Sequence, residues 1–457
     1  MCKRFSKSDF DLPMKKTQLL HWCWILVLMI SVPNFAQQKK WTLEECVLYA
    51  LENNISIKQS ELELQVSEIE KLEAIGGFLP SLSGNANYSI NTGANINPST
   101  NQFENETFKS FSASVNSGVN LFNGLLNWKN WQRTKLNKVA NEYRLDKMKD
   151  DIMLQVANSF LEILSNKEQL RVLENQNRIT KENLTRTEAL IDAGNLPAGD
   201  IYELRATDAQ QEQQIINAKN NLFIAKIALC QLLLLDDYVN FDVAEQEFNA
   251  ELSAVLNETP QAIFAKAKDF VNDIKIASQD VAVAEKDVQI SRSGYYPTLG
   301  GFIGYNARYA ETTPLSFRDQ LYLFDGTAMG LQLQIPILNG FSTRARVQRS
   351  KINRSRSEYL LKQAELDLET NVYRAYNDVI NAKEAYEAAQ KTAEARKFAY
   401  EFSKERFNVG LQNSFDFSQS TIAFENAQSE EVRAKYDYIF KTKILEFYFG
   451  MPIVQKP

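Results

Sequence analysis

Between Phe341 and Val409 the chain contains neither glycine nor proline, and Gly340 and Gly410 bracket the run. An uninterrupted stretch of about 70 residues predicts a helix of roughly 100 Å at 1.5 Å per residue. Apolar or small residues recur at Leu361, Ala364, Leu368, Val372, Ala375, Val379, Ala382, Tyr386, Ala389 and Ala393. That 3-and-4 spacing is a seam packed along a partner helix, and its alanines predict close approach. Before the run, Leu331 to Leu338 reads as the end of an alternating strand, closed by the turn pair Asn339-Gly340. The same sequence of signals occurs earlier. Val119 to Phe122 leads into Asn123-Gly124, a second breaker-free run spans Leu125 to Ala193, and Gly194 ends it. Asp200 follows Gly194 as Asp416 follows Gly410, and the matches share an offset of about 216 residues, which predicts an internal duplication.

Shorter elements complete each half. Trp41–Leu72 and Gln261–Arg292 read as helices, and Ile201–Leu235 and Phe417–Phe449 as return helices after the long ones. The return helices are shorter than the long helices, so Trp41–Leu72 and Gln261–Arg292 are the expected second partners. Two strand pairs lie between. Leu82, Gly84, Ala86, Tyr88 and Ile90 alternate with Ser and Asn, as do Phe111, Ala113, Val115, Val119 and Leu121. Leu299, Ile303, Tyr305, Ala307 and Tyr309 share one face, and Met329, Leu331, Leu333, Ile335 and Ile337 oppose Gln332 and Gln334. Period-two alternation fits a half-buried sheet of a soluble protein as well as a strand between lipid and water. Four strands cannot close a membrane barrel, whose smallest examples have about eight, so a membrane reading requires several chains to share one barrel. The polar segments Asn91–Thr107 and Glu311–Asp325 read as loops. The division expected is 37–240 and 241–457, each helix, strand, strand, long helix, helix, with Asp236–Pro260 as a linker or belt element.

Residues 1–36 read as an export signal: Lys15 and Lys16 precede an apolar core from Leu19 to Val32, and Asn34-Phe35-Ala36 ends in a small residue. Cys23 lacks the small residues expected before a lipidated cysteine. Removal of this segment takes away His21, the only histidine of the chain, and with it any imidazole for a triad, a metal or acid–base work. Cys46 and Cys230 then remain, far apart in sequence, with their redox state open. Net charge is −6, and no run of basic residues or aromatic–basic patch points to nucleic acid. No zinc spacing or Walker-type loop occurs, and Gly300-Gly301-Phe302-Ile303-Gly304 reads as small residues within a strand. No cofactor and no enzymatic activity are expected.

Thr42-Leu43-Glu44-Glu45-Cys46-Val47-Leu48-Tyr49-Ala50-Leu51-Glu52-Asn53-Asn54 resembles the N-terminal motif of the TolC-like outer-membrane efflux family. The proline-containing strand starts, the duplication and the glycine-terminated long helices match that family over nearly the whole mature chain. The resemblance implies a mixed fold: a membrane β-barrel shared by a trimer, four strands per chain, continuous with a long helical tube in the periplasm. It implies a passive exit duct of a tripartite efflux or type I secretion system. Its partners would be two further copies, outer-membrane lipid, a periplasmic adaptor and an inner-membrane pump. Arg406-Phe407-Asn408-Val409-Gly410-Leu411 resembles the family's adaptor-contacting tip, with Ala193-Gly194-Asn195-Leu196 as its counterpart. The position of Asp416 commonly carries a pore-lining acid in the family, Gln419 stands where a second acid often follows, and Gln412 and Phe407 stand where an arginine and a tyrosine can lock the mouth. The residues themselves allow another reading. Gly194 and Gly410 fit helix C-caps, and Asp200-x-x-Glu203 and Asp416-x-x-Gln419 fit N-caps with capping partners. From another class, an exported soluble coiled-coil protein, structural or adhesive, also fits the helices; a hydrolase using paired carboxylates is disfavoured, because no acids are grouped on the predicted loops in a way that would form a cleft.

Overall fold

The computed structural model describes residues 39–96, 101–194, 196–245 and 254–451, so the export signal expected at 1–36 lies outside the described residues. In chain order the elements are β1 (Lys40–Trp41), α1 (Leu43–Asn53), α2 (Ile55–Gly76), β2 (Ser81–Ile96), β3 (Phe103–Asn123), α3 (Leu126–Asp192) and α4 (Asp200–Leu233). Then come β4 (Asp242–Val243), α5 (Pro260–Phe270), α6 (Asn272–Ser293), β5 (Thr298–Ala310), α7 (Phe317–Leu323), β6 (Asp325–Gln334), α8 (Ser342–Asn408) and α9 (Ser414–Phe449).

The two breaker-free runs are the long helices α3 and α8, 67 residues each. Each begins after a left-handed residue pair, Gly124-Leu125 and Gly340-Phe341, which turns the chain out of a strand. The helices read as Trp41–Leu72 and Gln261–Arg292 are each broken in two. Asn54 (φ −61°, ψ 133°) ends α1 and caps α2, its side chain accepting the Ser56 N–H at 2.9 Å and donating to the Leu232 carbonyl at 3.0 Å. Val271 makes the same break between α5 and α6. Near the sheet, α2, α3, α6 and α8 stand side by side; further away, α4, α3, α9 and α8 do. Each long helix thus exchanges one partner for another along its length.

The strands also run further than polarity alone indicates. Most of Asn91–Thr107 is strand rather than loop, because Asn91 through Ile96 pair with Phe108 through Phe103. The segment Glu311–Asp325 holds the short helix α7, started by Ser316, whose hydroxyl accepts the Asp319 N–H at 3.1 Å. At the other end, Ile335 and Ile337 fall beyond β6.

The four long strands form one antiparallel sheet in the order β2-β3-β5-β6. Its register aligns the alternation of all four. Ala86 pairs with Ala113 and that with Ala307; Gly84 with Val115 and that with Tyr305; Gly301 pairs with both Val119 and Leu331, and Ile303 with Met329. The other face collects Asn85, Ser114 and Asn306, with Ser83, Asn116 and Gly304 in the next row. One face is therefore apolar across the sheet, the other Ser-, Asn- and Gly-rich.

The core lies among the helices. Val156, Phe160 and Ile163 of α3 meet α1 and α4, and Val372 and Val379 of α8 meet α5 and α9. Cys46 and Cys230 sit in the first of these cores as buried free thiols, and burial pushes them up to about 12 and about 11. Beside them β1 and β4 pair in parallel, and Asp242 is held between Lys167 at 2.7 Å and Lys226 at 3.0 Å. The predicted belt segment therefore does carry an element, although 246–253 lie outside the described residues. No described helix is long and apolar enough to cross a membrane.

Candidate functional site

At the end remote from the sheet, two helix-to-helix turns come together. In the second, Gly410 has φ 75°; its N–H donates to the Phe407 carbonyl at 3.0 Å, and the Leu411 N–H to the Arg406 carbonyl at 2.9 Å. This paired arrangement caps the last carbonyls of α8 and requires a left-handed residue at Gly410. Gly194 has the same φ, and its N–H donates to the Ile191 carbonyl at 2.8 Å. Neither glycine has a heavy atom near its missing Cβ, so both turns project into open space. Arg406, Val409 and Leu411 are exposed, Leu411 by 70%; Leu196 is half-buried, and Asn195 lies outside the described residues.

The acids do not cap as the sequence suggests. Asn413 is the N-cap of α9, its side chain accepting the Asp416 N–H at 2.8 Å, so Asp416 occupies the third helical position. A carboxylate in the first turn is favoured there by the helix dipole. Asp416 is exposed and forms no ion pair among the described residues, and Gln419 is exposed as well. Asp200 is the first residue of α4 rather than its cap, and it accepts a hydrogen bond from the Ser414 hydroxyl at 3.0 Å. The first residues of the two return helices are thus joined directly.

Gln412 donates to the Ser403 hydroxyl at 2.8 Å, tying the turn back onto α8. Phe407 does not offer its ring to solvent. It is 4% exposed and stacks on Phe417, in a cluster with Tyr400, Phe424 and Leu204. A second link across the turns runs from Arg186 to Asn408 at 3.0 Å. Above the ring cluster, the contact between α4 and α9 becomes polar. Thr207 and Ser418 share a hydrogen bond of 2.5 Å, and Gln211 donates to Glu425 at 3.1 Å in a buried setting. Burial holds the Glu425 carboxyl above the ordinary carboxylate range. Sequence reading did not single out this seam, yet Ser414, Ser418, Thr421, Glu425 and Ser429 recur at helical spacing on α9.

The tip geometry offers no constellation for catalysis: its groups are caps, stacked rings and cross-helix hydrogen bonds. It offers instead an exposed turn bearing Leu411 and Val409, two acids at helix starts, and an interface between α4 and α9 in which polar pairs replace close apolar packing.

Comparison with known proteins agrees with this architecture. Residues 48–233 and 266–450 match the family described as outer membrane efflux protein. The chain is 22% identical over 431 residues to the proteases secretion protein PrtF of Dickeya chrysanthemi, covering 91% of this chain and 89% of that one. It is 22% identical to the outer membrane protein TolC of Vibrio cholerae, with 82% of each chain covered. Its fold superposes on the crystal structure of the outer membrane protein VceC from Vibrio cholerae with a TM-score of 0.73 at 12% identity, covering 90% of this chain and 97% of that one. With both repeats of its long helices inside the matched segments, the chain belongs to the outer membrane efflux protein family, the TolC-like channels of the outer membrane whose helical part extends into the periplasm.

Proposed function

We propose that three copies of this chain form one duct, a twelve-stranded barrel continued by a tube of helices, through which substrates leave the periplasm. The observation that carries this reading is the register of the sheet: four strands share one apolar face and, opposite it, one Ser/Asn face, while β2 and β6 remain open edges. Open edges within a membrane are unsatisfied, and pairing with neighbouring copies closes them. The helical wall also calls for neighbouring copies. Its edge helices carry unpartnered apolar residues, Leu62, Val66, Ile69 and Leu72 on α2, and Ile352, Tyr359 and Leu366 on α8. A duct of this kind performs no chemistry and holds no cofactor; it is not an enzyme. Residues 1–36 serve export, and 37–240 and 241–457 are the duplicated halves.

Asp416 and Asp200, with Gln419 beside them, line the narrow periplasmic mouth, where threefold repetition makes a ring of acids that favours cations. Gln412 and Phe407 hold α8 to α9 from within the tip. Gly194, Asn195, Leu196, Arg406, Val409, Gly410 and Leu411 meet a periplasmic adaptor, and an inner-membrane pump supplies the energy. Single-channel conductance in a planar bilayer tests this. The wild type is expected to conduct weakly and prefer cations, with that preference reduced in Asp416→Asn. An unchanged preference would return Asp416 to a role in helix stability alone.

A further inference from the structure

A concave site lies at the other end of the helices, just below the sheet. Between the end of α6 and the first turns of α8 is a cleft of about 400 Å³ lined by Arg292, Tyr295, Tyr296, Arg344, Gln348 and Lys351, with Val347 at its floor. It contains three cations and no acid. Arg292, Arg344 and Lys351 are exposed and make no ion pair among the described residues. A fourth cation, Lys129, stands behind them. Its ammonium donates to the Ser293 hydroxyl at 3.2 Å and lies 5.8 Å from the centre of the Tyr296 ring. The first five turns of α8 carry Arg344, Arg346, Arg349, Lys351, Arg354 and Arg356 before the first acid, Glu358. Arg354 pairs with Glu358 one turn on, but Arg344 lies in the first turn, where a cation opposes the helix dipole and does not serve the helix itself.

The cleft opens on the apolar side of the sheet. Ser291 and Ser350 face each other across the α6–α8 contact, with their hydroxyls 2.7 Å apart, and buried Val347 shares that contact. Arg292 follows Ser291 and Gln348 follows Val347, so both turn about 100° to one side of the wall. Ile290 and Arg346, one position earlier in each helix, turn to the other side. They line a different cleft together with Thr298 and Gln334, which belong to the polar face of the sheet. The cationic cleft therefore lies on the side of Leu299, Leu331 and Leu333; Tyr295 belongs to it alone, Tyr296 borders both clefts, and the two exposed rings stand at the boundary, as aromatic residues do where a membrane meets water.

We propose that this cleft binds the headgroup of an anionic phospholipid from the periplasmic leaflet of the outer membrane, with Arg292, Arg344 and Lys351 on the phosphodiester and the acyl chains running up the apolar face of β5 and β6. The occupant is fixed by charge complementarity and by continuity with that apolar face; a soluble anion would use the first and not the second. The inference rests on the reading that this face meets lipid.

Native mass spectrometry of the detergent-purified protein, titrated with phosphatidylglycerol, with phosphatidylcholine of the same chains and with inorganic phosphate, tests it. Phosphatidylglycerol is expected to be retained in preference, and each cation removed among R292Q, R344Q and K351Q lowers that preference about fivefold. R346Q, on the opposite side of the wall, leaves it unchanged. Equal retention in the triple variant, an equal loss in R346Q, or displacement of the lipid by millimolar phosphate would each overturn the proposal. Flotation with vesicles separates the two readings. Protein that floats but shows no headgroup preference removes the site alone, whereas protein that does not float removes the lipid-facing sheet and the site together.

Discussion

The rings of Phe407 and Phe417 lie 4.7 Å apart and within 5° of parallel, one from the last turn of α8 and one from the first turn of α9. Both are buried, so the stack is the apolar fastening of an otherwise exposed turn. Truncating a buried phenylalanine costs about 3–5 kcal/mol. Phe407→Ala is therefore expected to loosen the tip while leaving the distant cores intact. Trypsin cleavage after Arg406 should rise about a hundredfold while the main thermal transition moves little. A main transition lowered as far as the tip is loosened would show that the tip unfolds only with the whole tube.

Two glycines with the same backbone sign are expected to differ in what they tolerate. Gly410 and Gly124 both have positive φ, but a Cβ at Gly410 meets nothing, whereas one at Gly124 would come within 2.8 Å of the Ser293 carbonyl and of Tyr296 Cβ. Alanine at 410 meets only the left-handed strain of about 1–2 kcal/mol, and asparagine less. Gly124→Ala adds a backbone clash at the junction of β3 and α3. Because the tip loosens apart from the main transition, the melting temperatures of Gly410→Asn and Gly410→Ala are expected to stay close to that of the wild type, while Gly124→Ala, at the base of the sheet, melts clearly lower. Equal losses at the two sites would show that the junction yields to make room.

Much of this architecture is legible in the sequence because glycine and proline punctuate it so sparsely. The absence of breakers between Gly124 and Gly194, and between Gly340 and Gly410, sets the two long helices within a residue or two of their observed ends. The breaks at Asn54 and Val271 are not marked in that way: neither is a breaker, and each falls where a helix beside a return helix gives way to one packed on the long helices. Capping was misread at Asp416 because Asn413 three residues earlier is an equally good cap, and only the chain path decides which residue begins the helix. The cationic cleft escaped notice for a different reason. Arg344 and Lys351 belong to a row of cations at the start of α8, but Arg292 joins them only because α6 and α8 pack antiparallel. Likewise the Phe407–Phe417 stack joins two helices whose separate periodicities do not reveal their phase.

The buried Gln211–Glu425 pair makes tip stability depend on pH. Burial raises the Glu425 carboxyl in the folded state, so the folded protein holds this proton more tightly than the unfolded chain. Stability from this group is complete below the unfolded titration near pH ~4.3 and is lost as pH rises through the raised folded value. Glu425→Gln keeps an acceptor for the Gln211 amide and removes the charge. It is expected to stabilise the protein on the order of 1 kcal/mol at pH 7.5 and not at pH 4. Three half-buried acids, Asp150, Asp151 and Glu431, are also raised, so the relevant quantity is the difference between wild type and variant at each pH. Hydrogen exchange of the tip turns of α4 and α9 at the two pH values measures it. A variant that loses stability at pH 7.5 would mean that the carboxylate has a partner in the assembled duct.

Adjacent residues of β6 separate a lipid-facing sheet from an ordinary half-buried one. Leu331 pairs with Gly301 on the apolar face and is 69% exposed in the single chain. Gln332 pairs with Gly300 on the opposite face. If the apolar face meets hydrocarbon, lysine at Leu331, between the interface and the bilayer midplane, costs part of the ~2–4 kcal/mol that applies at the midplane. Lysine at Gln332 points into water and costs little. In a soluble protein whose sheet stands as exposed as it does here, lysine at Leu331 would be tolerated just as well. Folding of the two variants into vesicles, read as the fraction that inserts and resists protease, is therefore expected to fall sharply for Leu331→Lys and hardly at all for Gln332→Lys. Equal insertion would mean that the alternation of these strands does not record a membrane, and the closure of β2 against β6 of a neighbouring copy would then need a driving force other than lipid.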